Sequence, residues 1–181
     1  MNQITEALPL RLHHNAYVTR DQEATRHFYE DMIGMPLIAT WAEQADLFGK
    51  VRTYCHTFYG MEDGGALAFF QFAEAEDAQL FGPPMPPSAF HHIALKCDQG
   101  KQDAIRARLT AAGYEPPKMY FIDHGYCQSL YVEDPNGLVL EFTVDAPQVE
   151  KINADRRADA HAVLARWLGG DHSPNNLDHH D

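Results

Sequence analysis

The chain has 181 residues, 45% of them hydrophobic and 22% charged, and a formal net charge of −12 with histidine neutral. That length suits one domain with a real core, and the acidic balance argues against nucleic acid or an anionic membrane surface as a general partner. No apolar run approaches the roughly 18 residues that a membrane span needs, and the N-terminus MNQITEALPLRLHH has no basic stretch leading into an apolar core.

Three scattered cysteines, Cys55, Cys97 and Cys127, show no CxxC spacing. They suit free thiols in a reducing compartment, so a cytoplasmic location is expected. Residues 1–10 read as a loose leader. Residues 11–18 (RLHHNAYV) read as a strand, and Asp21 is placed to cap a helix over 22–33, where Ala24, Phe28, Met32 and Ile33 recur at helical spacing. Gly34 suits the helix C-terminus. Strands are expected over 37–41, 51–60 and 66–72, the last two joined by the turn Met61-Glu62-Asp63-Gly64-Gly65.

Residues 74–88 break the pattern: EAEDAQ is acidic, and Pro83, Pro84, Pro86 and Pro87 follow, so this stretch reads as a linker. The pattern then restarts, with a strand over 90–97 (FHHIALKC), a helix over 101–112 ended by Gly113, and strands over 118–123, 128–132 and 138–144. Residues 150–168 read as a helix and 171–181 (DHSPNNLDHHD) as a polar tail, whose His172, His179 and His180 read as solvated.

The second half repeats the first. His13-His14 matches His91-His92, Tyr59 and Tyr131 each lie six residues before Gly65 and Gly137, and Cys55 coincides with Cys127. Each half is β-α-β-β-β, giving modules over 11–73 and 89–146. Within the second, Asp134-Pro135-Asn136-Gly137 is a turn between two strands. The second strand carries Glu141 between Leu140 and Phe142, and a buried carboxylate is costly unless paired or bound to a metal.

Paired β-α-β-β-β units with a histidine opening each half and a glutamate ending the second resemble the vicinal oxygen chelate superfamily, which holds glyoxalase I, bleomycin-resistance proteins, thiol transferases, epimerases and type I extradiol dioxygenases. The segments LHHNAYVTRDQEATRHFYEDMIGMPL, FHHIALKC and SLYVEDPNGLVLEF carry the resemblance over residues 11–145. It implies an α+β fold in which the two modules curl into one half-open barrel around a metal, with a C-terminal helix added. It also implies metal ligands at His14, His92 and Glu141. Alternation puts His13 and His14 on opposite strand faces, so the choice of His14 rests on the resemblance. Two imidazoles and one carboxylate suit Fe(II) with open coordination positions, and Mn2+ or Zn2+ accept the same donors.

The repeat places Phe69 opposite Glu141, and a phenyl ring cannot ligate; Gln71, on Phe69's face, would reach a metal after a register shift. By the same resemblance, Tyr131 is a hydrogen-bond donor to substrate and His124 an acid–base group. Phe69, Phe70, Tyr120 and Phe121 would form an aromatic wall. His27 sits in a helix pattern and reads as surface, and His56 is a weaker candidate than His124. The expected function is an extradiol-type dioxygenase taking an aromatic substrate and O2, as a homodimer. A metal-dependent isomerase, epimerase, glyoxalase-like lyase or thiol transferase, and a metal-free binding protein, are the alternatives.

Overall fold

The computed structural model describes residues 9–86, 88 and 90–176, and the chain divides into two compact units. The first takes the chain up to residue 87 together with Asp134–Gly137; the second takes Ser88–Glu133 and everything from Leu138 on. Most of the expected leader lies outside the described residues, as do His179 and His180.

In the first unit β1 (His14–Val18) leads into α1 (Gln22–Arg26), which continues as a π-helical stretch, His27–Ile33. Asp21 caps this helix by accepting the Ala24 N–H at 2.9 Å, and Gly34 ends it at φ 82°. Then follow β2 (Leu37–Leu47), β3 (Lys50–Gly60), β4 (Ala66–Phe72) and α2 (Ala75–Phe81). The sheet order is β1-β4-β3-β2, with β1 parallel to β4. Phe28, Tyr29 and Ile33 of the helix and Tyr59, Leu67 and Phe69 of the sheet are fully buried, and Tyr29 packs on both Tyr59 and Phe69. Burial of each such side chain contributes roughly 1.5–3 kcal/mol.

The second unit repeats the plan: β5 (His92–Lys96), α3 (Gln99–Ala111), β6 (Met119–Asp123), β7 (Cys127–Glu133) and β8 (Val139–Asp145). Its sheet order is β5-β8-β7-β6, with β5 parallel to β8. Asp98 caps α3 through the Lys101 N–H at 2.7 Å, and Ile105 and Leu109 are buried with Leu130, Val132, Leu140 and Phe142. A 20-residue helix, α4 (Val149–Leu168), buries none of its residues. No helix among the described residues is long and apolar enough to cross a membrane.

Two stretches differ from the sequence reading. The acidic run expected to belong to a linker forms α2, because its Asp77 is buried and accepts from Arg52 Nε at 2.8 Å and Lys50 Nζ at 3.2 Å. Strand β2 runs on past Trp41 to Leu47, pairing along its length with β3. Its outer residues are mostly exposed, so it lacks the hydrophobic alternation that marks a strand in sequence.

The repeat register also needs correcting by one residue. Ala16 pairs with Ala68 and Ala94 with Glu141, while Phe58 pairs with Ala68 and Tyr131 with Glu141. The helix glutamines agree: Gln22 Nε2 donates to the Phe69 carbonyl at 3.1 Å and Gln102 Nε2 to the Phe142 carbonyl at 2.7 Å. The partner of Glu141 in the first half is therefore Ala68, not Phe69, and that of Tyr131 is Phe58, not Tyr59. By the same shift Cys55 is not the mate of Cys127. The cause is the Gly64-Gly65 pair. Gly64, at φ 79°, donates to the Met61 carbonyl as Gly137, at φ 84°, donates to the Asp134 carbonyl. Matching Gly65 to Gly137 slips the strand by one and turns every side chain to the other face.

Candidate metal centre

Four of the side chains singled out from sequence meet inside the second unit. His92 opens β5, Glu141 lies in the neighbouring β8, Tyr131 stands directly across from it in β7, and His124 follows the end of β6. Glu141 is only 5% exposed, and its Oε2 lies 2.8 Å from His92 Nε2. Tyr131, also 5% exposed, packs edge-on to the His92 ring at 5.5 Å. Its hydroxyl lies 3.0 Å from His124 Nε2 and within hydrogen-bonding reach of Glu141. A phenol has one proton to give. When it goes to the carboxylate, His124 Nε2 donates to the tyrosine oxygen; when it goes to His124, Nε2 accepts. Burial first, and then the hydrogen bond and charge of Glu141, push the Tyr131 phenol well above the ordinary tyrosine range. The loop before β7 holds His124 in place: its N–H donates to the Cys127 carbonyl at 2.9 Å, and its own carbonyl accepts from Asn176 Nδ2 at 3.0 Å.

The first unit is built differently. The His14 ring packs against Phe58 at 5.6 Å and His56 at 6.4 Å, which sets its face of the sheet, and its Nδ1 lies 2.8 Å from His13 Nδ1. His56 stacks on Phe70 at 3.6 Å with the rings 19° apart. This face therefore carries His14, Phe58, His56 and Phe70 over a floor that includes Ala66 and Ala68. An apolar cavity of about 530 Å³ in this unit is lined by Ala16, Val18, Phe70, Phe81, Gly82 and Pro83 among others. Gly82 is needed for that contact, since a Cβ there would sit 2.6 Å from Val18 Cγ1.

Several expected roles change with the register. Phe69 is fully buried in the helix-side core with Tyr29 and Tyr59, so it is no part of an aromatic wall. Phe121 pairs with Leu130 on the helix side of its own sheet and also leaves the wall. Tyr120 stacks on Tyr131 at 4.9 Å in the second unit, and Phe70 stacks on His56 in the first. Gln71 lies on the face of Phe69, opposite that of Ala68 and Phe70, and its Nε2 donates to the Arg20 carbonyl at 3.1 Å. His27 is an exposed helix residue paired with Asp31 at 2.8 Å. The sequence reading ranked His56 below His124; its position beside Phe58 and Phe70 on the face of His14 shows only once the register is right.

Among the described residues, no group of three or more His, Cys, Asp or Glu side chains is gathered as a ready cage. The donor chemistry nonetheless fits a divalent cation. A buried carboxylate in contact with an imidazole gives two strong ligands, and the Tyr131 phenol beside them fixes the carboxylate, as outer partners of metal ligands do.

Residues 11–142 match the family described as the Glyoxalase/Bleomycin resistance protein/Dioxygenase superfamily. YwbC of Bacillus subtilis, itself uncharacterized, is 27% identical over 133 residues, covering 73% of this chain and 95% of that protein. Among solved structures, the fosfomycin resistance protein FosX of Listeria monocytogenes aligns with a TM-score of 0.56 at 16% identity, covering 78% of this chain and 98% of that one. A FosX variant from the same organism, in complex with Mn(II) and dihydroxypropylphosphonic acid, gives 0.54 at 16% identity, covering 78% and 97%. These likenesses concern the fold, and together with the family match over most of the chain they place it: the protein belongs to the glyoxalase, bleomycin resistance protein and dioxygenase superfamily.

Proposed function

We propose that the protein is a metal-dependent enzyme of this superfamily, and that its reaction is extradiol-type cleavage of a catechol-like aromatic ring by O2. The observation that carries this reading is the connected set His92, Glu141, Tyr131 and His124 in the second unit. It puts two metal donors in contact with a phenol and a second imidazole.

In this reading His92 and Glu141 hold the ion, with His14 as third ligand on the strength of the family resemblance. Fe(II) is the metal that suits the reaction, and it would supply Lewis acidity and the redox chemistry of O2. Tyr131, protonated at neutral pH like any tyrosine and pushed further from ionisation by burial and Glu141, remains a hydrogen-bond donor to a substrate oxygen or to Glu141. His124, joined to Tyr131 at 3.0 Å, takes a catechol proton and returns it as the ring opens. Both atoms of O2 enter the product, so no further reductant is required.

The FosX complex with Mn(II) supports a divalent metal in this fold and keeps Mn2+ as an alternative to iron; Zn2+ accepts the same donors. A glyoxalase I-like site with a carboxylate from each half is disfavoured, because Ala68 stands where the first-half carboxylate would be. A phosphonate transferase needs cations, and the Lys96 amine is already paired with Asp145. A metal-free binder would have no use for a carboxylate buried as deeply as Glu141. The helix α4, with Leu164, Trp167 and Leu168 exposed, offers a surface for the expected homodimer.

The test is anaerobic loading with Fe(II), addition of a catechol panel, and measurement of O2 uptake with formation of a yellow ring-cleavage product. Uptake matched to product supports the reading. An iron-loaded protein that consumes no O2 with any catechol removes the dioxygenase reaction.

A further inference from the structure

His124 sits in the turn between β6 and β7, and most of what shapes that turn is local. Gly125 stands at φ 78° with its N–H donating to Asp123 Oδ1 at 2.8 Å, and Gln128 Nε2 donates to Asp123 Oδ2 at 3.1 Å. One contact comes from far along the same unit: Asn176, 52 residues later, donates from Nδ2 to the His124 carbonyl at 3.0 Å. The chain reaches that point in ordered steps. Past the end of α4, Gly170 turns at φ 90°, and the Asp171 N–H donates to the Arg166 carbonyl at 3.1 Å. Asp171 Oδ1 then accepts from the Ser173 N–H at 3.0 Å and from its hydroxyl at 2.6 Å. The Ser173 carbonyl accepts from Arg166 Nη2 at 2.8 Å, and the His172 ring packs on Trp167 at 4.2 Å. The segment that reads from sequence as a polar tail is thus tied to α4 over residues 171–173 and to the His124 turn at residue 176. His124 is gripped at two points, by Asn176 on its carbonyl and by Tyr131 on its ring. A turn with a glycine beside the histidine has backbone freedom to spare, so the grip on the carbonyl limits where the ring can go.

We propose that Asn176 is a positioning residue for His124: by holding the His124 carbonyl it keeps the imidazole on the Tyr131 hydroxyl, and residues 171–176 act as a strap across the turn. The catalytic consequence rests on the function proposed above, in which His124 moves a proton; the hold on the ring does not. The chemistry of the contact is specific. A carboxamide has N–H groups to give a carbonyl oxygen, whereas an aspartate of the same shape offers only acceptors. The inference also gives a use to α4, which buries none of its residues: it carries the strap.

The experiment uses the full chain and two readouts. The first needs no turnover: NMR of 15N-labelled histidine rings, with His124→Ala to assign the His124 signal and Tyr131→Phe to show where it lies once the ring is released. Asn176→Asp should move the His124 signal toward its position in Tyr131→Phe, and Asn176→Gln, which keeps the amide, should recover part of the shift. The second readout is steady-state O2 uptake by the Fe(II)-loaded protein on a catechol panel. Asn176→Asp should lower kcat about threefold to tenfold, the value of one hydrogen bond, with KM within about twofold of wild type and metal content unchanged. In a His124→Ala background the same substitution should cost nothing further, since both changes act on one group. An Asn176→Asp protein whose His124 signal stays at the wild-type position overturns the inference. So does an equal loss of kcat with and without His124, because Asn176 would then act elsewhere. If the iron-loaded wild type consumes no O2 with any catechol, the proposed function falls, and the ring signal alone decides whether Asn176 holds His124.

Discussion

Position for position, the first unit has Ala68 where the second has Glu141, Phe58 where the second has Tyr131, and His56 where the second has Ser129. The strand order and the opening histidine are common to both. One sheet thus carries the carboxylate and the phenol, and the other answers with a methyl group and a phenyl ring. The contrast explains why the second unit holds a connected hydrogen-bonded set while the first presents an aromatic face around His14 and His56.

The most severe way to break this comparison is to remove the carboxylate that only one side has. Glu141→Ala should reduce turnover about a thousandfold or more, since a metal site supplies several kcal/mol to the transition state. Steady-state O2 uptake measures it. Next come the two tyrosines that a simple sequence alignment equates. Tyr131→Phe should lower kcat about 10–100-fold, the usual cost of removing an outer partner of a metal ligand. Tyr59→Phe, in the helix-side core with Tyr29 and Phe69, should leave kcat within about twofold. Equal losses in both would contradict the register.

The glycines sharpen the register at a smaller scale. Gly64→Ala and Gly137→Ala should each cost about 1–2 kcal/mol, the strain of a Cβ at positive φ, read from denaturant unfolding. If Gly64→Ala proves neutral while Gly137→Ala does not, the two turns are not equivalent.

The smallest effect concerns α2, which follows β4 as the longer α4 follows β8. The Asp77 carboxyl is held below the usual carboxylate range chiefly by its hydrogen bond from Arg52, with Lys50 adding to it. A depressed folded pKa means that this stabilisation is present at neutral pH and is lost as pH falls through the acidic range. Asp77→Asn should therefore lower Tm at pH 7 by a few degrees, with the gap to wild type closing below about pH 4. A gap that stays constant with pH would show that charge is not what α2 contributes.

Much of this was readable before any fold was seen. The Asp21 cap, the Gly34 stop, the strand 66–72 and the paired histidines all follow from local chemistry, because each rests on residues close in sequence. The buried Glu141 was legible as a polar residue inside an apolar strand. What escaped depended on one residue of register or on distant partners. Two adjacent glycines, Gly64 and Gly65, give no sign of which one takes positive φ, and the choice decides whether Phe58 or Tyr59 shares the sheet face of His14. The helix α2 forms around an ion pair with Arg52, which lies 25 residues earlier in the chain. His56 was obscured by the same slip, since its interest comes from lying beside Phe70 and His14 across two strand pairings.

The central claim is that His92 and Glu141 hold a metal that Tyr131 and His124 serve. Its most direct test is metal content after anaerobic reconstitution and desalting, compared for wild type, His92→Ala, Glu141→Ala and Tyr131→Phe, with folding checked by circular dichroism. The account predicts one divalent ion per chain in wild type and in Tyr131→Phe, and almost none in His92→Ala or Glu141→Ala. Folded His92→Ala and Glu141→Ala proteins that retain the full complement of metal would contradict it.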